Sequence, residues 1–171
     1  ATVSAQERVR LGLHARGAIS GLFVEPQPAL GELKSDMAGG HELTLAVRAV
    51  GLNFRDVLNV LGEYPGDPGP PGSDCSGVVE AVGVEVHHLL AGDAAFGFAH
   101  APLACAVVTA GWQLCAKPCA LSFEQASTLP STWSTVHVAF TRPQVRGGAR
   151  VLLHAAAGGV GLVGVEYALW L

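Results

Sequence analysis

Apolar positions come in short runs, and turn-forming residues interrupt them every few positions. Val9–Leu13 and 22–24 read as short strands. Residues 42–50 have the β-branched, apolar character of a longer one, with Arg48 near its end. Residues 25–40 carry Pro and Gly and read as a loop. The period then changes. Phe54, Val57, Leu58 and Leu61 recur at spacings of three and four, which predicts a short amphipathic helix over 53–61. Residues 62–72 hold four Pro and four Gly, which excludes helix and central strand and predicts a surface loop with fixed turns. Such loops, held on a rigid scaffold, commonly carry binding groups. Further strands are expected at 75–82, 96–98 and 103–108, with turns at Gly83 and at Ala91-Gly92-Asp93. Many short strands with turns this frequent predict a small barrel.

Near residue 121 the character changes. Ser122 and Gln125 form a capping-box pattern, so a helix should run from Phe123 toward Thr128, with Pro130 ending or bending it. A second helix is expected over 132–140 and a turn at Gly147-Gly148. Val151-Leu152-Leu153 is the all-apolar run of a parallel strand buried on both faces. A tight turn at 158–161 and an apolar helix from Leu162 follow. There is no internal repeat. The expected domains are 1–120 and 121–171, a mixed β and α/β architecture.

Composition narrows the class. Half of the 171 residues are apolar and 14% are charged, which suits a buried core and opposes disorder. The net charge is −4, and the ten basic residues form no block or stripe, so nucleic acid is not an expected partner. Cys75, Cys105, Cys115 and Cys119 supply neither a zinc ligand set nor a disulfide framework. Four thiols without a secretory leader point to a reducing, cytoplasmic setting, and the start at Ala1 reads as an excised piece. Residues 151–171 approach the length of a membrane span, yet they hold His154, Glu166 and a Gly-rich turn. A buried strand–turn–helix accounts for them better, and no membrane association is expected.

The clearest chemistry lies in the run from Val151 to Gly161, Val-Leu-Leu-His-Ala-Ala-Ala-Gly-Gly-Val-Gly. An apolar strand, a glycine cluster and a helix start are the ingredients of dinucleotide binding. Glycines let the backbone approach a pyrophosphate, and the helix N-terminus offers free N–H groups and partial positive charge. A tight turn kept for packing would use the same glycines. The flanking strand and helix favour the cofactor reading. The residue that chooses NAD or NADP, about 20 positions further on, lies beyond Leu171.

With this motif in hand, the chain resembles the medium-chain dehydrogenase/reductase superfamily, and more closely the enoyl reductase domains of polyketide synthases. The likeness covers nearly the whole chain. It rests on the opening from Arg8 to Leu22, on Gly51-Leu-Asn-Phe-Arg-Asp-Val-Leu58, and on Gly62-Glu-Tyr-Pro-Gly66. It continues through Gly72-Ser-Asp-Cys-Ser-Gly-Val-Val79, where Asp74 replaces the usual Glu, through Ala91-Gly-Asp93 and Phe96-Gly97, and through His154-Ala-Ala-Ala-Gly-Gly-Val-Gly161. The resemblance implies a GroES-like, partly open β-barrel followed by the first strand–loop–helix of a Rossmann domain. It implies NADPH as cofactor, reduction of an α,β-unsaturated thioester on an acyl carrier protein, and neighbouring synthase domains as partners.

The resemblance also distributes roles. Tyr64 corresponds to a candidate donor of the α-carbon proton, although a loop tyrosine packing its ring would look the same. Asn53 corresponds to a position lining the substrate and nicotinamide cleft, and could also cap the short helix. Thr135 matches a threonine near the cofactor. Ala157, Gly158, Gly159, Val160 and Gly161 form the expected cofactor turn. No metal is expected, because Asn53–Asp56 and Gly72–Asp74 stand where zinc-dependent relatives carry Cys and His-Glu ligands. Arg55 and Asp56 read as a local ion pair or solvated face. His137 and His154 read as structural, His87 and His88 as a surface turn, and Cys75 as a small buried residue. Similar reductases carry a lysine and an aspartate further along, and several more βα units, so the 171 residues alone are expected to bind NADPH poorly and not to turn over. Two other readings remain: a free-standing quinone oxidoreductase-like enzyme acting on small enones, and a non-catalytic structural remnant.

Overall fold

The computed structural model describes residues 8–27 and 40–171. The part of the expected 25–40 loop spanning 28–39 lies outside the described residues. The chain forms two compact units, divided between Thr128 and Leu129.

The first unit is built on antiparallel strands. β1 (Val9–Leu13) and β2 (Leu22–Pro26) pair as a hairpin. β3 (Glu42–Gly51), β4 (Asp74–Val82), β5 (Ala94–Phe98), β6 (Ala106–Ala110) and β7 (Leu114–Ala116) form one open sheet in the order β6-β3-β4-β5-β7. The two sheets are stitched rather than fused into a closed barrel. Leu11 N–H donates to Leu103 C=O at 2.7 Å and Cys105 N–H to Val9 C=O at 2.8 Å. The Gln27 side chain also holds both backbone groups of Ala106, accepting its N–H at 3.1 Å.

Strand alternation sends Leu43, Leu45, Cys75, Val79, Ala95, Val107 and Leu114 into one core, closed by Val86 and Leu89 from the β4–β5 connection. Leu43 and Leu45 are wholly buried, so truncating either to Ala costs about 2–5 kcal/mol. The strand expected at 103–108 is displaced to Ala106–Ala110, because 103–105 are used against β1. His88 is not a free surface histidine. Its Nε2 lies 3.1 Å from both the Gly111 and Leu114 carbonyls and ties β7 to the turn before it.

Two helices belong to this unit. α1 (Phe54–Leu61) follows β3, and α2 (Phe123–Ser127) starts with the expected capping box, Gln125 N–H donating to Ser122 Oγ at 3.1 Å.

The second unit contains α3 (Pro130–Thr141) and α4 (Gly159–Trp170). Pro130 sits in the first turn of α3 and begins a helix where the sequence suggested an end, since an N-terminal proline has no N–H to waste. Val151–Leu153, expected as a buried strand, is unpaired, and Leu152 is 82% exposed. A parallel strand requires neighbours on both sides, and no described strand lies beside this one.

Candidate functional site

α1 reverses the orientation its pattern suggests. Its buried residues are Asp56, Asn59 and Val60, whereas Phe54 and Val57 of the apolar stripe are exposed. The outward stripe borders a hollow of about 280 Å³ lined by Leu11, Ile19, Leu22, Leu52, Val57 and Leu61. The polar residues turn inward because the Pro/Gly loop after the helix presents backbone groups that need partners.

The partners are specific. Asn53 and Asp56 form a capping box, with Asp56 Oδ2 accepting Asn53 N–H at 2.8 Å. Asp56 Oδ1 accepts the N–H of Gly72, at the far end of the loop, at 2.7 Å. Asn59 donates to Gly69 C=O at 3.0 Å and accepts Arg16 Nε at 3.0 Å. Arg16 Nη2 reaches Gly69 C=O and the Asp67 carboxylate, both at 3.1 Å. The Gly69 N–H bond and then the Arg16 charge hold the Asp67 carboxyl below its ordinary range. Arg55 Nη2 donates to Pro68 C=O at 2.7 Å. Arg55 and Asp56, read as a local ion pair or solvated face, instead each anchor backbone of the loop, Arg55 from the exposed side of the helix and Asp56 from its buried side.

Tyr64 stands where the helix passes into this clamped loop. Gly62 closes α1 in the left-handed conformation (φ 74°), which glycine adopts without a Cβ penalty. Tyr64 N–H then donates to Leu58 C=O at 3.2 Å. The Tyr64 ring is half-buried, with the Arg55 guanidinium carbon 5.5 Å from its centroid. Among the described residues its hydroxyl has no hydrogen-bond partner, so the phenol is chemically open to donate a proton. Asn53, half-buried at the helix start, performs the capping role.

The second unit carries the glycine turn. Gly158 N–H donates to Ala155 C=O at 2.9 Å, and α4 begins at Gly159. Ala157, Gly158, Gly159 and Val160 are exposed. A Cβ on Gly161 would lie 2.3 Å from the Ala155 carbonyl oxygen, so only glycine lets the helix start this close to the turn. The first-turn N–H groups of α4 have no partner within the helix, and the turn presents only backbone and small side chains. These donors suit phosphate oxygens. Thr135 is exposed on α3, one helical turn beyond Thr132, whose methyl would stand 3.8 Å from a Cβ on Gly159.

α4 is held to α3 by an aromatic cluster. Tyr167 is buried and its hydroxyl lies 2.8 Å from His137 Nδ1. Its ring meets those of Phe140, Trp170 and Trp133 at centroid distances of 5.2, 5.5 and 6.1 Å. The sequence left Arg16 and Asn59 without roles and read Asp56 only as part of a local ion pair or solvated face. The Asn53-x-x-Asp56 spacing carried a capping signal for Asp56, whereas nothing local marked Arg16 or Asn59.

Residues 39–138 match the alcohol dehydrogenase GroES-like domain. The chain is 37% identical over 161 residues to a phenolphthiocerol synthesis polyketide synthase type I of Mycobacterium marinum, covering 93% of this chain and 7% of that protein. Among solved structures it is similar to the CurK enoyl reductase, at 33% identity and a TM-score of 0.83, covering 96% of this chain and 52% of that one. It is also similar to the Escherichia coli quinone oxidoreductase complexed with NADPH, at 29% identity and a TM-score of 0.75, covering 95% and 50%. The chain thus spans about half the length of these solved relatives and under a tenth of the synthase.

Proposed function

Because the chain belongs to the alcohol dehydrogenase GroES-like family, on its polyketide synthase enoyl reductase branch, we propose that it contributes the substrate-side unit and the start of the cofactor site to an enoyl reductase. The reaction is reduction of an α,β-unsaturated acyl thioester carried on an acyl carrier protein, within a multidomain synthase. NADPH, when bound, supplies a hydride to the β-carbon, and the resulting enolate takes a proton at the α-carbon. The observation that carries this reading is a clamped loop presenting Tyr64, whose hydroxyl has no hydrogen-bond partner among the described residues, together with a glycine turn at a helix start.

The chain's own residues divide the work. Gly159, Val160 and Gly161 offer backbone donors to the cofactor's phosphates, and Ala157 and Gly158 complete the turn that presents them. Thr135 lies on the helix next to that turn. Tyr64 donates its phenolic proton to the α-carbon, and the bonds from Arg16, Asn59, Arg55 and Asp56 fix the loop that holds it. Asn53 starts α1 and borders the reacting groups.

The test is NADPH consumption by the full-length polypeptide with a crotonyl thioester, and with a simple quinone in parallel. Thioester-dependent oxidation that falls at least tenfold in Tyr64→Phe supports the reading. The quinone oxidoreductase likeness favours a second reading, reduction of small enones or quinones, and activity on quinone alone would select it. Failure with both substrates would leave a structural remnant.

A further inference from the structure

Arg55 is the one cation in contact with the Tyr64 ring among the described residues, and neither its sequence position nor the family match gives it a task. It leaves the exposed side of α1 and spans to the loop. There its Nη2 donates to Pro68 C=O at 2.7 Å while the guanidinium carbon stands 5.5 Å from the Tyr64 centroid. Arginine suits both contacts at once, because a planar guanidinium can face an aromatic ring and donate from its edge. The carbonyl it grips lies next to Gly69, which Asn59 and Arg16 already hold. The guanidinium that the ring faces is therefore tied to a loop segment that is itself bonded to the helix.

We propose that Arg55 is a positioning residue for the Tyr64 phenol, fixing the face from which the α-carbon is protonated. The inference rests on the reading of Tyr64 as the proton donor. Arg55 itself touches no reacting atom. The proton passes from the Tyr64 hydroxyl to the α-carbon of the enolate, and water re-protonates the phenolate. Without Arg55 the ring keeps its hydroxyl but loses the contact that fixes its tilt, so water competes from the other face and the new α-centre forms as a mixture.

The experiment uses the full-length polypeptide with the α-methylcrotonyl thioester of N-acetylcysteamine. It reads the ratio of the two α-enantiomers and the separate kcat and KM values. The variants are Arg55→Gln, Arg55→Lys, Tyr64→Phe and the Arg55→Gln/Tyr64→Phe double variant. Arg55→Gln should lower kcat about tenfold and mix the enantiomers, with the KM for NADPH changed less than about twofold. Arg55→Lys, which keeps the cation but not the planar guanidinium, should restore the selectivity only in part. In the Tyr64→Phe background Arg55→Gln should have no further effect on the enantiomer ratio, because the group it acts through is gone. An effect of the same size in both backgrounds would overturn the positioning role. If Tyr64→Phe alone leaves rate and configuration unchanged, the donor reading fails and the inference fails with it. If Tyr64→Phe changes both while the Arg55 variants change neither, the inference alone is refuted.

Discussion

Replacing Asp56 with Ala removes a carboxylate that serves two backbone donors at once, Asn53 N–H at 2.8 Å and Gly72 N–H at 2.7 Å. The two losses differ in kind. Asn53 lies at a helix start where water can reach it, so losing that half of the capping box costs about 1 kcal/mol. Gly72 is buried, and its N–H would keep no partner, a loss of about 2–3 kcal/mol for a hydrogen bond to a charged group. The sum, about 3–4 kcal/mol, is a large fraction of the stability of an ordinary domain. With a urea m-value of about 2 kcal/mol/M, it lowers the unfolding midpoint by roughly 1.5–2 M. Asp56→Asn retains one acceptor oxygen and should lose about half as much. The assay is urea unfolding of the 171-residue chain followed by far-ultraviolet circular dichroism. A shift below about 0.5 M for Asp56→Ala would refute the claim that this carboxylate holds the helix and the loop together.

Two further outcomes are expected. Gly161→Ala places a Cβ 2.3 Å from the Ala155 carbonyl oxygen and must push the turn outward; in the full-length polypeptide the KM for NADPH should rise about tenfold, equivalent to about 1.4 kcal/mol, and an unchanged KM would remove the turn from the cofactor site. Burial, with the Asp74 charge second, pushes the Cys75 thiol up from its ordinary 9.0 to about 12. Its neutral form is therefore the one that fits the fold. That contribution is complete below pH 9 and is lost as pH rises toward 12, at about 1.4 kcal/mol per unit, and the slope should vanish in Cys75→Ala, as urea midpoints across that range would show.

Much of the first unit was legible because strand alternation and turn residues act locally. Val9–Leu13 stands as read, and β3 and β4 differ from expectation by a residue at an end. β7 has only three residues, too few for any period to show. The spacing of Phe54, Val57, Leu58 and Leu61 disclosed a helix but misdirected its inward face, because hydropathy cannot register that Gly69 and Gly72 need hydrogen-bond partners. Val151-Leu152-Leu153 had the composition of a buried strand, yet composition does not supply the neighbours that pairing requires. The glycine turn was visible because glycines cluster between an apolar run and a helix start, and at Gly161 the Ala155 carbonyl leaves no room for a Cβ. The clamp from Arg16 depends on residues 43 to 53 positions away and left no local trace.

The ring cluster around Tyr167 makes the second unit optically separable from the first. Trp133 and Trp170 both lie within about one ring diameter of Tyr167, while the third tryptophan, Trp112, is 77% exposed on the strand unit. Light absorbed by Tyr167 passes to Trp133 across the helix pair and to Trp170 three residues on along its own helix, so parting α3 from α4 removes the first path and leaves the second. Trp112→Phe would leave both remaining indoles in this helix pair, so fluorescence excited where only indole absorbs reports on the pair alone, without any attached dye.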